Sequence, residues 1–237
     1  MKAYLEVDEV KKLEAAADTT RDWLLVRLLF HLGARVSEVL SLTVDNIDFR
    51  RGTVTIRHLK TRTKASCAKC GSSLGRSHSF CPKCGEKIDE FVAKEQQRQR
   101  MRTLPLDKKT LAVLADYVKR GGPVRRDDKD YIFEFGRHRA WQIIADLAKK
   151  AGLPKVVNPE SGRKHNVSPH RLRDAFAVHA MQLNDSGVGL RLLQEHLGHA
   201  SFDTTAKYRK ISGKEHRDWY DALWQKGKKD DGPQVKA

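Results

Sequence analysis

The chain has 237 residues, of which 39% are hydrophobic and 32% are charged. This apolar content is enough to build a core, which excludes wholesale disorder, and no run approaches the roughly 18 apolar residues of a membrane helix. The formal net charge of +16 favours a polyanionic partner such as nucleic acid. The first ten residues carry several charges and no apolar stretch, unlike a secretory signal, so the predicted location is cytoplasmic.

Helical spacing predicts three helices near the start of the chain, over Val7 to Ala17, Arg21 to Leu32 and Ser37 to Leu42. The second is apolar on most of its faces, which is typical of a buried core helix. Gly33 fits the end of that helix.

Two short runs further on have the alternating pattern of half-buried strands, Thr53 to Arg57 and Met101 to Pro105. All four cysteines lie in the segment between them. A loop of this length without structure is rare in a compact domain, whereas one stapled by a metal is not. We therefore expect a β-hairpin whose loop has been replaced by a zinc ribbon.

The cysteines form two pairs with the same spacing, Cys67-Ala-Lys-Cys70 and Cys81-Pro-Lys-Cys84, each followed by glycine. This spacing lets the two thiolates of one knuckle reach the same tetrahedral ion, which predicts a Zn²⁺ site. Four thiolates would fill the coordination sphere, so the expected ion is structural and not catalytic. Two disulfides, or four unrelated thiols, are the alternatives.

The second half of the chain is again mostly helical by its spacing, with a polar loop at residues 153–167. One helix has Ser168 as its N-cap and Pro169 at its first position, and it runs to about Leu183. The other predicted helices are Lys108 to Lys119, Arg137 to Ala151, Leu190 to Leu197, Thr204 to Arg209 and Lys214 to Gln225.

Three separated segments carry the residues with chemical potential. They are Gly33-Ala-Arg35-Val-Ser-Glu38, then His170-Arg-Leu-Arg173, and finally Leu197-Gly-His199 followed by Thr204, Thr205 and Tyr208. In this order they resemble the three conserved boxes of the tyrosine recombinases, the family of phage integrases and Xer-type enzymes. Tyr208 lies nine residues after His199, which is the spacing of that family. The resemblance covers about positions 4 to 225 apart from the cysteine insert.

The resemblance implies a mainly α-helical catalytic domain with a small antiparallel β-sheet, formed by residues 1–64 and 91–226. A zinc-ribbon insertion in the β-hairpin would cover residues 65–90, and residues 227–237 would be a charged, disordered tail. The family usually carries an N-terminal helical domain that clamps DNA, and we expect that domain to be missing here. The implied partner is double-stranded DNA, and the implied outcome is integration, excision or transposition.

The resemblance also assigns roles in phosphodiester exchange. Tyr208 would be the nucleophile, leaving a 3′-phosphotyrosyl intermediate and a free 5′-hydroxyl, and Arg35 and Arg173 would hold the scissile phosphate. The residue chemistry agrees, because a phenol with a pKa near 10 attacks poorly unless nearby positive charge favours the phenolate. One guanidinium group can also donate two parallel hydrogen bonds to the oxygens of a phosphate. Because a covalent intermediate retains the phosphodiester energy, religation needs no ATP, and the absence of a P-loop sequence agrees with this. The residue set implies exchange without a catalytic metal.

Proton transfers are assigned to a second group of residues. By the resemblance, Lys60 would protonate the leaving 5′-oxygen, His170 would assist proton transfer from Tyr208, and His199 would hydrogen-bond the phosphate. Glu38 would orient the site. Lys64 is an alternative to Lys60, because both lie close to the point where the cysteine insert interrupts the hairpin.

Other interpretations remain open at this level. Tyr220 is a rival nucleophile, although its neighbours Trp219 and Trp224 favour a packing role. The C-terminal stripe that includes Leu223 is expected to support self-assembly into dimers or tetramers on DNA, as in the family. Two alternative functions are a type IB topoisomerase-like activity and a catalytically idle zinc-ribbon DNA-binding protein. Asp174 occupies a position that is often histidine or arginine in the family.

Overall fold

A computed structural model describes residues 3–57, 63–75, 78–88, 92–95, 101–157, 162–184, 186–199 and 201–208. Lys60, Tyr220, the predicted helix Lys214 to Gln225 and the tail 227–237 lie outside these described residues. The chain divides into two compact units, one formed by Met1–Ile56 with Thr103–Ala237 and the other by Arg57–Arg102. The described part contains eight α-helices and several short β-sheets.

The first unit begins with helices α1 (Val7–Ala16), α2 (Thr20–His31) and α3 (Val36–Leu40). All three predicted helices are therefore confirmed to within two residues at each end. The Thr19 side chain caps α2 by accepting a hydrogen bond from the main chain of Asp22. Six apolar residues of α2 are buried, as expected of a core helix.

The two predicted strands have the bounds that the sequence indicated, β2 (Thr53–Arg57) and β6 (Met101–Pro105). They lie side by side in a three-stranded sheet of order β1-β2-β6, in which β1 is Ile47–Asp48. Val54 and Ile56 are buried while Thr55 between them is not, which is the alternation that predicted the strand.

The second unit contains a separate antiparallel sheet of order β4-β3-β5. Its strands are β3 (Thr63–Ser66), β4 (Ser73–Leu74) and β5 (Val92–Glu95). The unit has a small core of its own around Cys67, Leu74 and Cys81.

After the first sheet the chain forms α4 (Lys108–Lys119), the hairpin of β7 (Val124–Arg126) and β8 (Lys129–Tyr131), and then α5 (Arg137–Lys150). Both helices were predicted, but the hairpin was not. Its two-residue turn, Asp127–Asp128, has positive φ at both positions. Aspartate tolerates this conformation better than most residues, so the Asp-Asp pair was the available turn signal.

The prediction of a polar loop over residues 153–167 was wrong in part. Two strands, β9 (Val156–Val157) and β10 (Lys164–His165), pair there in antiparallel fashion. Each strand has two residues, which is too short to show an alternating pattern in the sequence.

The last three described helices are α6 (Pro169–Leu183), α7 (Gly187–Leu197) and α8 (Phe202–Ala206). Ser168 and Pro169 open α6 as predicted. Helix α7 begins before the predicted Leu190, because Ser186 caps it and its glycines weaken the helical signal of the first turn. Helix α8 likewise begins two residues before the predicted Thr204.

Gly33, at the end of α2, is a point of close approach in the main core. Its φ is 51°, and a Cβ placed there would lie 2.4 Å from a ring carbon of Phe176 on α6. The Phe176 ring also packs edge-on against Phe30 and stacks on His196. Glycine therefore lets α2 approach α6 and α7 closely, two residues before Arg35.

We predict that Gly33→Ala lowers the free energy of unfolding by about 3 kcal/mol, from backbone strain and overpacking together. Gly152→Ala is a matched control, because Gly152 also has positive φ (64°) but a Cβ added to it would have no atom within 4 Å. It should lose only about 1 kcal/mol from strain. Urea unfolding of both variants provides the measurement, and equal losses would contradict the proposed contact with Phe176.

Candidate active site

A cavity of about 400 Å³ in the first unit brings together residues that are far apart in the sequence. Its described lining is positively charged, because it includes four cationic side chains and two histidines but no acidic side chain. The polar and charged lining residues are Arg35, Ser37, Arg137, His170, Arg173, His199, Thr204, Lys207 and Tyr208. Five of the six predicted catalytic residues thus meet in one cavity, and the sixth, Lys60, lies outside the described residues.

Arg35 is placed by the start of α3. It occupies the N-cap position, and its main-chain N–H donates to Glu38 Oε2 at 2.9 Å while its guanidinium donates to Glu38 Oε1 at 2.9 Å. Glu38 is only 1% exposed. This buried carboxylate therefore fixes the Arg35 side chain beside the cavity.

Arg173 is 3% exposed and is bound on two sides by main chain. Its Nη1 donates to the carbonyl oxygen of Gly33 at 2.7 Å, and its Nη2 donates to that of Leu197 at 3.0 Å. Nη2 also lies 2.9 Å from His199 Nε2. One side chain on α6 thus connects the ends of α2 and α7.

His199 follows Gly198, which ends α7 in the left-handed conformation that glycine adopts most easily. A guanidinium can only donate, so His199 Nε2 is the acceptor in its contact with Arg173. The ring proton must then lie on Nδ1, which donates to Thr205 Oγ1 at 2.9 Å. In this state Nε2 faces Arg173, so it is in no position to donate to a phosphate.

Tyr208 lies two residues after the end of α8 and is 2% exposed. Its hydroxyl donates to Asp174 Oδ1 at 2.9 Å, and its ring stacks near that of His199. Burial, together with the charge and hydrogen bond of Asp174, raises the pKa of Tyr208 above its usual range, against the opposing effect of Arg173 and Arg171. The phenol is therefore held in its protonated form.

His170 differs from the other site residues because its side chain is exposed at the start of α6. The main-chain N–H groups of this first turn and the helix dipole add to the positive potential of the cavity. A tetrahedral anion bound there would meet His170, Arg173 and the helix end from one direction.

Sequence reasoning gave no role to four residues that the structure places at the site. Thr205 binds His199, Asp174 binds Tyr208, and Arg137 and Lys207 line the cavity. Asp174 carried a signal, since it departs from the usual residue at its position. Arg137 carried none, because it lies on α5, outside the three motifs.

In the second unit the four cysteines form a cluster in which all sulfur atoms lie within 4.8 Å of one another. Cys67 Sγ is 3.7 Å from Cys84 Sγ, and Cys70 Sγ is 3.6 Å from Cys81 Sγ. These separations are far longer than the S–S bond of about 2.05 Å. They are close to the edge of about 3.8 Å in a tetrahedron with metal–sulfur bonds of about 2.3 Å.

The two halves of this cluster repeat the same backbone pattern. In the first, Gly71 N donates to Cys67 O at 2.9 Å and Cys67 N to Ser72 O at 2.9 Å; in the second, the matching bonds run from Gly85 N to Cys81 O at 2.9 Å and from Cys81 N to Glu86 O at 2.8 Å. The Ser72 hydroxyl, 3.0 Å from Cys81 Sγ, is the main cause that lowers the pKa of Cys81 to about 6. In the same cluster, burial and the neighbouring sulfur atoms raise the pKa of Cys84 to about 12, so the thiolate is favoured at Cys81 and not at every sulfur.

Comparison with known proteins places this site in a family. Residues 3–68 and 87–215 match the phage integrase family. The chain belongs to this family. Among curated relatives, tyrosine recombinase XerA of Pyrococcus horikoshii is 29% identical over 90% of this chain and 59% of its own length. Tyrosine recombinase XerD of Listeria monocytogenes is 26% identical over 91% of this chain and 60% of its own. The chain thus spans about three fifths of the length of these relatives.

Solved structures of the family share the fold. The crystal structure of XerA recombinase has a TM-score of 0.63 at 24% identity and covers 94% of this chain and 65% of that one. The catalytic domain of bacteriophage HP1 integrase has a TM-score of 0.52 at 17% identity, with 90% of both chains covered. The predicted tyrosine recombinase catalytic fold is therefore confirmed. Among the described residues, no helix has the length and apolar character needed to cross a membrane.

The hydrogen bond between His199 and Thr205 can be tested by comparing substitutions at Thr205 and at its neighbour Thr204. We predict that Thr205→Val lowers the free energy of unfolding by about 1.5 kcal/mol, because a buried hydroxyl is lost and His199 Nδ1 keeps no acceptor there. Thr204→Val, at an exposed position, should change it by less than about 0.5 kcal/mol. Urea unfolding of the two variants provides the measurement, and an equal effect would rule out the His199–Thr205 bond.

Proposed function

We propose that this chain is a site-specific DNA recombinase that cleaves and rejoins DNA through a 3′-phosphotyrosyl intermediate. The Tyr208 oxygen attacks the scissile phosphorus, the bond to the 5′-oxygen breaks, and that oxygen leaves as a hydroxyl after accepting a proton. Religation reverses these steps, so the phosphodiester energy is retained and no ATP is used. The names of the curated relatives, all tyrosine recombinases, support this assignment.

One observation carries the proposal, the convergence of Arg35, Arg173, His170 and His199 around Tyr208 in a cavity with no acidic lining among the described residues. The pentacoordinate transition state carries more negative charge than the phosphodiester. Guanidinium donors aimed at its oxygens therefore bind the transition state more tightly than the substrate. Loss of one such donor typically raises the barrier by about 3–4 kcal/mol.

Proton transfers in this mechanism fall to the residues around the phosphate. His170, exposed at the cavity, is suited to assist proton transfer from Tyr208. His199 donates to the phosphate only after its Nε2 gives up the contact with Arg173 and takes up a proton, and an anion in the cavity would favour both changes. Lys60 remains the proposed donor to the 5′-oxygen, with Lys64 as the alternative.

The proposed partner is double-stranded DNA. Two related structures, XerH recombinase with a difH substrate and the Tn1549 transposon integrase with transposon end DNA, are complexes of this kind. We also propose self-assembly on DNA through the C-terminal segment. Exposed apolar side chains of α6 and α7, namely Leu183, Val188 and Leu192, offer a surface for such packing.

The test of the nucleophile is Tyr208→Phe, which removes the attacking oxygen and keeps the ring. Incubation with a pool of nicked random-sequence duplexes, followed by denaturing gels, should show a covalent protein–DNA adduct for the unaltered protein and none for this variant. DNA affinity should be retained, because the cations are unchanged. Tyr220→Phe is the matched control and should form the adduct normally. The opposite pattern would assign the nucleophile to Tyr220, and no adduct from any protein would favour an idle DNA-binding protein.

We further propose that residues 65–90 form a zinc-ribbon insert with Cys67, Cys70, Cys81 and Cys84 as ligands. The sulfur separations and the repeated backbone pattern support this. The family match also omits residues 69–86, which hold three of the four cysteines. When bound, zinc supplies folding free energy to a segment whose apolar core is very small. The sequence places Lys60 just before this segment, so an ordered ribbon also restrains the lysine.

We predict that Cys67→Ser abolishes binding of one equivalent of zinc and unfolds the insert, with reduced DNA cleavage. The helical circular dichroism signal should change little, because none of the described helices lies in the second unit. Ser79→Ala, an exposed change in the same insert, is the control and should keep its zinc. Elemental analysis and amide NMR give the readouts. Full cleavage and unchanged DNA affinity in the zinc-free variant would show instead that the insert is a distal element.

A further inference from the structure

The hydroxyl group of Tyr208 is bound to a carboxylate that does not belong to the phosphate-binding set. The distance from Tyr208 Oη to Asp174 Oδ1 is 2.9 Å, and both residues are buried. Asp174 lies on α6 next to Arg173, but it is absent from the residues that line the cavity. The nucleophilic oxygen is therefore engaged by a group outside the cavity in which the phosphate would bind.

The Asp174 carboxylate is itself held by an arginine. Its other oxygen, Oδ2, accepts from Arg171 Nη1 at 3.1 Å, and the side chains of Arg171 and Asp174 are 18% and 12% exposed. A carboxylate is a far weaker base than a phenolate. Asp174 is thus poorly suited to accept the proton that Tyr208 must lose.

The charges around Tyr208 show how the hydrogen bond to Asp174 affects the reactivity of the Tyr208 oxygen. Arg171 and Arg173 favour a phenolate, Lys207 Nζ lies 4.9 Å from the centre of the Tyr208 ring, and His199 stacks beside it. Asp174 opposes them, since a phenolate at hydrogen-bond distance would face a second negative charge. The hydroxyl is therefore stable beside Asp174 only while it keeps its proton.

We propose that Asp174 is a positioning residue that holds Tyr208 in a resting state, and that the tyrosine must leave this carboxylate before it attacks DNA. This inference rests on the cleavage chemistry proposed above. The displacement moves a ring that packs in an apolar cluster with residues of α6 and α7, and the five-residue helix before it has one buried member, Thr205. A phosphate in the cavity would attract Arg173, which lines it, and so favour the released position of Tyr208.

The test is Asp174→Asn, which keeps the shape of the side chain and removes its charge. Adduct formation with the nicked random-sequence duplexes should become about tenfold faster in single turnover, because a hydrogen bond to a charged acceptor is replaced by a weaker neutral one. Glu195→Gln is the matched control. It makes the same change in net charge at an exposed ion pair with Arg191 on α7, and it should leave the rate unchanged. A rate that is equal or lower in Asp174→Asn would overturn the proposal.

A second readout does not depend on cleavage. The five tyrosines can be replaced by 3-fluorotyrosine, and Tyr208→Phe identifies the fluorine NMR signal of Tyr208. In Asp174→Asn this signal should titrate at lower pH than in the unaltered protein, whereas Glu195→Gln should not move it. An unchanged titration would show that the contact is absent in solution and would also overturn the proposal. A shifted titration without any adduct from either protein would support the contact and contradict the cleavage chemistry.

Discussion

Two hydrogen bonds from the Arg173 guanidinium to main-chain carbonyl oxygens hold the candidate site together. They connect α6 with Gly33, two residues before Arg35, and with Leu197, two residues before His199. A single buried cation thus sets the distance between the other groups that are proposed to bind phosphate. Charged donors in a buried environment form strong bonds of defined direction. A residue proposed to contact the substrate is thereby also the centre of the local structure. The main chain of the site is held in place before any DNA arrives, whereas the Tyr208 hydroxyl and His199 Nε2 still engage other partners.

Much of this arrangement could be predicted from the sequence, for identifiable reasons. Long helices such as α2 and α4 have enough turns for their apolar period to appear, and β2 shows its alternation over five residues. The short strands β9 and β10 could not be found, because their pairing depends on contacts across a loop. The motifs predicted which side chains would meet around Tyr208, but spacing says nothing about rotamers. The bond from Tyr208 to Asp174 and the proton position on His199 needed three-dimensional contacts.

Charged side chains of the first unit lie in two kinds of surroundings, the cationic cavity and ion pairs between the helices. The cavity carries an excess of positive charge on its described lining, which favours an anion but destabilises the empty protein through repulsion. Elsewhere in the first unit, cations are paired with carboxylates in networks such as the one where Arg27 donates to Glu14 and Asp107 and so joins α1, α2 and α4. Hydrogen bonds from the hydroxyl and the main chain of Thr110, followed by that from Arg27, lower the pKa of Asp107 to about 2, despite partial burial of its carboxyl. Paired charges thus stabilise the scaffold, whereas the described lining of the cavity holds cationic side chains and no acidic one.

The pairing of β3 with β5 has a consequence for the history of this chain. Thr63 lies opposite Glu95 and Ser66 opposite Val92, so the polypeptide enters and leaves the cysteine-containing segment on neighbouring strands. A segment with adjacent ends can be inserted into a host domain at little entropic cost, since loop closure depends only weakly on loop length. Such a segment can therefore be gained, lost or exchanged by a single in-frame insertion, deletion or replacement. The host helices and their catalytic boxes can diverge independently of it.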